Sequence, residues 1–126
     1  MPFFFHVDKP RKLVMTTASG VVTREDVDRH FEKMLKDPDF DPRFSELGDY
    51  TGITKIDFTA DDLREFARLN IFAPSARRAI VVSDDSTAVL AEMFALLRQV
   101  EGEHEVRVFR TLAEGMDWIS PRVPAR

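Results

Sequence analysis

The chain contains no cysteine, so disulfides, thiolate metal ligands and cysteine nucleophiles are all excluded. Glycine is also scarce, with five residues among 126, and no glycine-rich phosphate-binding loop occurs. A Gly-x-Ser-x-Gly sequence, the usual nucleophile turn of hydrolases, is missing as well. These absences argue against nucleotide binding and against the commonest forms of covalent catalysis.

The chain also lacks a basic patch and a long apolar run. Its 18 Lys and Arg residues are interspersed with 22 Asp and Glu residues, for a net charge of −4, which gives no footprint for phosphate backbones. No apolar stretch is long enough to cross a bilayer. The apolar residues 3–7 follow no basic residue and are interrupted by His6, so we predict a strand there rather than a signal peptide. We expect a cytoplasmic protein with no nucleic-acid partner and no membrane span.

Three histidines are present, and none lies at a metal-binding spacing from another ligand. His6, His30 and His104 are far apart in the sequence and match no zinc-binding pattern. The acidic pairs 61–62 and 84–85 stand at predicted helix starts, where the helix dipole favours carboxylates without any metal. We therefore predict no metal, no cofactor and no catalytic residues, and expect a protein that is not an enzyme.

The hydrophobic pattern predicts one α/β domain spanning residues 1–126. A hydrophobic content of 44% at this length supports a single packed core. The order β-β-α-β-α-β-α-β-α implies one mixed, mainly parallel sheet packed with helices, in which the first hairpin supplies the antiparallel strand. The third strand is expected to end at a turn formed by Thr51 and Gly52, and the second strand at Gly20. Predicted strands are 3–7, 13–18, 44–50, 77–83 and 105–109, and predicted helices begin at Thr23, Thr59, Asp84 or Asp85, and Thr111.

Helical spacing predicts which side chains of each helix face the core. In the first helix these are Val27, Phe31, Met34 and Leu35. In the second they are Leu63, Phe66, Ala67 and Asn70. In the third they are Val89, Met93, Leu96, Leu97 and Val100, while Ala88, Ala91 and Ala95 allow close approach to the sheet.

Large apolar residues also occur in predicted connections. Phe40 and Phe44 lie in successive Asp-Pro turns, and Ile71 and Phe72 lie in a loop before Pro74. Such side chains either fold back onto the core, the interpretation we favour, or form an exposed patch for a partner, a second subunit or an apolar ligand.

Threonine begins three of the predicted helices, each time three residues before an acid. Thr23, Thr59 and Thr111 precede Asp26, Asp62 and Glu114 in this way. Threonine at such a position accepts an otherwise unpaired backbone N–H, and the acid completes a capping box. We expect the complete box at Thr111 and shorter versions at the two helices that use Asp. Capping therefore explains all three threonines with one cause.

Four segments follow a recognisable pattern of apolar positions and turns over nearly the whole chain. They are LGDYTGI, KIDFTADDL, RRAIVVSDD and VRVFRTLAEGMDWI, the last with its Trp118-Ile119 pair. In these segments and in element order the chain resembles the STAS superfamily, in particular its SpoIIAA-like and SEC14-like bacterial branch. The resemblance implies a single STAS-like domain that acts by binding.

Anti-sigma-factor antagonists of that superfamily carry an Asp-Ser-Ser-Gly segment whose second serine is phosphorylated by a partner kinase. On this chain the segment falls on residues 57–60, so Asp57 matches and Thr59 stands at the modified position, whereas Phe58 and Ala60 depart from the pattern. The resemblance thus implies a candidate phosphoacceptor or partner-docking site at Thr59 and Asp57. Asp61 and Asp62 would oppose a phosphate there by like-charge repulsion.

Two functions follow as hypotheses. The first is a non-catalytic regulatory or protein-interaction domain whose surface around the Thr59 helix docks another protein or a second copy of the chain, giving a homodimer. The alternative, suggested by the SEC14-like association, is a carrier or sensor that binds a small apolar or lipid-like ligand near Phe58, Ile71 and Phe72.

Overall fold

The computed structural model describes residues 2–69 and 71–122, and its element order is the predicted one. A short 3₁₀ turn over Ser120–Arg122 follows the last helix. Asn70, predicted on the inner face of the second helix, lies outside the described residues. The elements are β1 (Phe3–Asp8), β2 (Leu13–Thr23), α1 (Arg24–Lys36), β3 (Ser45–Asp57), α2 (Ala60–Arg68), β4 (Arg78–Val81), α3 (Asp85–Val100), β5 (Val106–Phe109) and α4 (Leu112–Ile119).

The strands form one five-stranded sheet in the order β1-β2-β3-β4-β5. Strand β1 runs antiparallel to β2, and every other neighbouring pair is parallel. This confirms the predicted mixed, mainly parallel sheet. Because successive crossovers advance in one direction, the right-handed rule places α1, α2 and α3 on the same face.

Core packing agrees with that arrangement. Side chains of α1, α2 and α3 pack on one face of the sheet, against residues such as Val22 and Ile80. Helix α4 covers the other face, where Ile119 packs against Leu47 and Val81. No helix within the described parts of the chain combines the length and the apolar character that crossing a membrane requires.

Strands β2 and β3 are longer than predicted, because two glycines allow them to continue past irregular points. The predicted turn at Thr51 and Gly52 lies inside β3, and Gly20 lies inside β2. The pairing register shifts beside Gly20, whose φ is +73°, a conformation that glycine adopts without strain. Gly52 lies so close to β2 that a Cβ there would be 3.0 Å from the Ser19 Cβ. These glycines permit bulging and close approach rather than ending the strands.

Helix α3 presents a different face to the core from the predicted one. Val89 and Leu96 are each 62% exposed and Val100 is 81% exposed, so these three predicted positions point away from the sheet, whereas Met93 packs against the core as predicted. Ala88 and Ala95 are buried instead, as expected of small residues that allow close approach. The rotation has an electrostatic cause, described below: Arg98 is drawn inward by a buried carboxylate.

The inner face of α1 also includes an unpredicted residue. His30 is buried together with Val27 and Met34, whereas Leu35, predicted to face inward, is 58% exposed. His30 is accommodated by aromatic rings of β1, because its imidazole stacks on Phe3 with ring centroids 4.4 Å apart. The other two histidines of the chain, His6 and His104, are exposed.

Candidate functional site

The three threonines at helix starts are N-caps, as predicted. Thr59 Oγ1 accepts from the backbone N–H of Asp62 at 3.1 Å, and the Asp62 carboxylate accepts from the Thr59 N–H at 2.8 Å. Thr23 and Asp26 form the same complete capping box. At the Thr111 helix the expected complete box is not formed, because the Glu114 carboxylate accepts from the threonine hydroxyl instead of its backbone N–H.

Thr59 and Asp57, the candidate phosphoacceptor or docking residues, are both exposed. Asp62, next to them in space, accepts a hydrogen bond from Arg24 of α1 at 2.7 Å. The pKa of Asp62 is lowered, first by the Thr59 backbone N–H and then by Arg24. A second network of the same kind caps α1, so nothing in its local geometry distinguishes Thr59 from an ordinary helix cap.

Ile71 and Phe72 do not form an exposed patch. They are 6% and 3% exposed and belong to a core cluster that also contains Phe44. Phe40 meets Phe72 edge to face, with ring centroids 5.4 Å apart. These loop side chains therefore fold back onto the core, away from the third candidate residue of the apolar set, Phe58.

Phe58 instead lines a cavity of about 120 Å³ between the sheet and helices α1, α2 and α3. The cavity exists because the second half of β3 extends beneath the helices and its apolar residues face them. Phe58 packs edge to face on Phe66 with ring centroids 5.2 Å apart. Most of the lining is apolar, including Ile53, Ile56, Phe58, Leu63, Phe66 and Phe94.

One part of the cavity lining is polar and carries buried charges. Glu46 of β3 and Arg78 of β4 are 2% and 7% exposed. Arg78 Nε donates to Glu46 Oε1 at 3.1 Å, and the Thr16 hydroxyl donates to Glu46 Oε2 at 3.0 Å. The adjacent parallel pairing of Glu46 with Arg78 in the sheet register brings the two side chains to the same face. Both Glu46 carboxylate oxygens are thus engaged.

The buried charges continue away from the cavity to a second ion pair. Arg78 donates to Glu103 Oε1 at 3.2 Å, and Arg98 of α3 donates to the same oxygen at 2.7 Å. Arg98 also donates to the carbonyl of Ala67 at 2.5 Å, which fixes the inward face of α3. Two carboxylates and two guanidinium groups therefore balance to zero charge, as buried charges require.

Two further polar side chains line the cavity, His30 and Tyr50. Neither the imidazole nor the phenol hydroxyl forms a hydrogen bond with another residue in the part of the chain described, residues 2–69 and 71–122. Burial lowers the pKa of His30 to about 4, with Arg78 acting in the same direction and Glu46 opposing it. Burial also raises the pKa of Tyr50 above its ordinary value, reinforced by Glu46. Both groups are neutral at pH 7.

The polar residues that line the cavity were not predicted as site residues, although each stands out in the sequence. His30 lies between Val27 and Met34 at helical spacing, and Glu46 and Arg78 are charged residues inside apolar strands. A charged residue in a strand can be predicted to be buried only when its partner of opposite charge is known. Glu46 and Arg78 are separated by 32 positions, so the sequence does not identify them as partners. Tyr50 is the chain's single tyrosine.

No group of three or more His, Asp or Glu side chains among the described residues could hold a metal ion. Comparison with known proteins finds no matching family model, no matching curated protein and no matching solved structure.

Proposed function

We propose that this chain is a non-catalytic binding domain whose cavity takes a small apolar molecule. The observation that carries the proposal is the cavity itself, mostly apolar but with a few polar groups converging on it, which is the usual composition of ligand sites. Glu46 is committed to Arg78 and Thr16. His30 therefore lacks the hydrogen-bonded carboxylate that orients a general base, which supports binding rather than catalysis.

The cavity volume favours one of the two ligands considered above, the small apolar molecule, over the larger lipid-like ligand. About 120 Å³ is close to the roughly 150 Å³ of an engineered apolar cavity that binds benzene. It is well below the roughly 300–1,000 Å³ of sites for drug-sized molecules. The geometry therefore supports a ligand of about one aromatic ring or a short aliphatic chain, rather than a whole lipid.

Toluene is a suitable probe of the cavity. A ligand that binds the folded chain alone, present at about ten times its Kd, adds about 1.4 kcal/mol to the free energy of unfolding. We expect toluene to raise the midpoint of thermal unfolding in a concentration-dependent manner. Isothermal titration of the folded protein gives the Kd independently.

A matched pair of variants separates cavity binding from general solvent effects. Ala91 lines the cavity, whereas Ala113 is exposed on α4. Ala91→Leu fills part of the cavity and should abolish toluene binding, while Ala113→Leu should leave the Kd unchanged. The proposal fails if wild-type protein does not bind toluene or if both variants respond alike.

A second candidate is the regulatory protein-interaction domain that the STAS resemblance implies. The exposure of Thr59 and Asp57 favours it, because both side chains are open to a partner or to a kinase. The most direct test uses a second copy of the chain as the partner. Sedimentation velocity of wild type, Thr59→Ala and Thr59→Glu measures self-association.

Thr23 supplies the control, since it caps α1 with the same capping box. Alanine at either position should lower the free energy of unfolding by about 1 kcal/mol through loss of the cap. If Thr59 docks a partner, only the Thr59 variants change self-association. Equal behaviour of Thr59→Glu and Thr23→Glu would reduce Thr59 to a helix cap.

A further inference from the structure

We propose that the cavity's ligand is a small apolar molecule carrying one uncharged hydrogen-bonding group, of the phenol or short-alcohol class. The inference rests on the proposed cavity-binding function and adds the chemistry of the ligand's polar end. It rests on two neutral side chains, His30 and Tyr50, which form no hydrogen bond with another described residue. They lie beside the part of the lining whose buried charges balance.

The two neutral groups share a neighbour in the cavity lining. The Phe3 ring contacts both of them, stacking on His30 at 4.4 Å and meeting Tyr50 edge to face at 6.4 Å between centroids. Glu46 and Arg78 act electrostatically on both His30 and Tyr50. The polar groups of the lining therefore belong to one region of the cavity.

Hydrogen-bonding capacity then defines the ligand's polar end. A neutral imidazole offers one N–H donor and one acceptor nitrogen, and a phenol hydroxyl offers a donor and an acceptor. A hydroxyl on the ligand, which both donates and accepts, can pair with the His30 nitrogen or with the Tyr50 hydroxyl. A pure hydrocarbon would leave both protein groups unpaired when it displaced water from them.

The balanced charges of the cavity lining argue against an anionic ligand. The guanidinium of Arg78 is shared between Glu46 and Glu103, and Arg98 is paired with Glu103. The four side chains sum to zero, so among the described residues no uncompensated cation remains at this lining to hold a carboxylate or phosphate. An anion placed there would be buried without a counter-charge, which is strongly unfavourable. Fatty acids and phosphorylated lipids are therefore poor candidates.

Titration of the folded protein with phenol, toluene and benzoate at pH 7 tests the inference. We expect phenol to bind at least as tightly as toluene, although phenol is better hydrated, and benzoate to bind at least about tenfold more weakly. Tyr50→Phe removes one hydroxyl and keeps the ring. It should weaken phenol binding by about 3- to 10-fold and change toluene binding by less than about twofold.

The outcomes separate the two proposals. If toluene binds but phenol is weaker and unaffected by Tyr50→Phe, the ligand class is wrong while cavity binding stands. Tightest binding of benzoate would equally overturn the inference. Failure of all three probes to bind wild type removes the cavity function itself. His30→Phe provides a second variant with the same ring stacking should Tyr50→Phe fail to fold, and the Ala91→Leu protein should bind none of the probes.

Discussion

The His30 imidazole contributes strongly to the pH dependence of this protein's free energy of unfolding. Burial holds the pKa of His30 at about 4, against an ordinary value of 6.5. The charged groups that face it are Glu46, which opposes the shift, and Arg78, which adds to it. Between those two pH values the unfolded chain binds a proton at this site and the folded chain does not.

We therefore predict that the free energy of unfolding falls as pH decreases from about 6.5 to about 4. The sign follows from linkage, since the unfolded state binds more protons throughout this window. A shift of this size corresponds to a loss of about 3 kcal/mol, complete near pH 4. Urea unfolding at intervals from pH 7 to pH 4 measures it.

His30→Gln is the control for that prediction, because glutamine does not titrate. Carboxylates with lowered pKa values, such as Asp62 and Asp84, lose their contribution mainly below about pH 4, and the part that they lose earlier is common to both proteins. The variant's stability should lose most of its slope between pH 6.5 and 4. An equal slope in both proteins would contradict the assignment to His30.

Residue by residue, the sequence predicts local roles better than partnerships. Thr23 and Thr59 are recognisable as caps because the acid that completes each box lies three positions away. Glu46 and Arg78 are not recognisable as a pair, because their contact depends on two strands meeting in the sheet. The family resemblance suggested a ligand site near Phe58, Ile71 and Phe72, but only Phe58 lines the cavity, and its polar lining required the tertiary structure.

At the scale of elements, α3 shows how a buried ion pair overrides an apolar pattern. Its strongest hydrophobic stripe includes Val89 and Leu96, and both are exposed. Arg98 is 1% exposed and bonds Glu103 and the carbonyls of Ala67 and Leu69. Leaving a buried carboxylate such as Glu103 without its partner is strongly destabilising, by about 3–5 kcal/mol, which exceeds the gain from burying one leucine.

Two adjacent positions of α3 give a direct test of its orientation. Leu96→Gln should change the free energy of unfolding by less than about 0.5 kcal/mol, since the side chain is exposed and glutamine has a similar helix propensity. Ala95→Gln should lower it by at least about 2 kcal/mol, because a larger polar side chain enters the packed cluster of Ile80 and Val82. Chemical denaturation of both variants provides the comparison.

Because glutamine is introduced at both positions, each variant is the control for the other. If Leu96 faced the core as predicted, Leu96→Gln would also be strongly destabilising. Far-UV circular dichroism before unfolding establishes that both variants retain their helices. A large loss of stability in Leu96→Gln would return Leu96 to the core and contradict the observed orientation.

For the molecule as a whole, the sequence was sufficient for the architecture and insufficient for the cavity. The turn after β1 and the helices between later strands fix a mixed sheet, because connection length decides whether strands pair antiparallel or parallel. The length of the β2–β3 pair could not be predicted, because a glycine such as Gly20 or Gly52 occurs in turns as well as in bulges. That extension is what places Ile53 and Ile56 beneath the helices.

The extension also makes β3 unequal along its length. Residues Glu46–Asp49 pair with strands on both sides, whereas the register with β4 ends at Asp49 and the remainder of β3 pairs with β2 alone. Segments with fewer neighbours open at lower free energy than central strands. We predict that amide hydrogens of residues 53–57 exchange faster, on average, than those of residues 46–49.

Hydrogen exchange followed by NMR measures this, and it connects the fold to the cavity. Because Ile53 and Ile56 line the cavity, a bound probe stabilises the closed state, and saturating toluene should slow exchange in residues 53–57 of the wild-type protein. In the Ala91→Leu protein toluene should have no such effect. Uniform protection along β3, or slowing by toluene in both proteins, would contradict the link between this half of the strand and ligand binding.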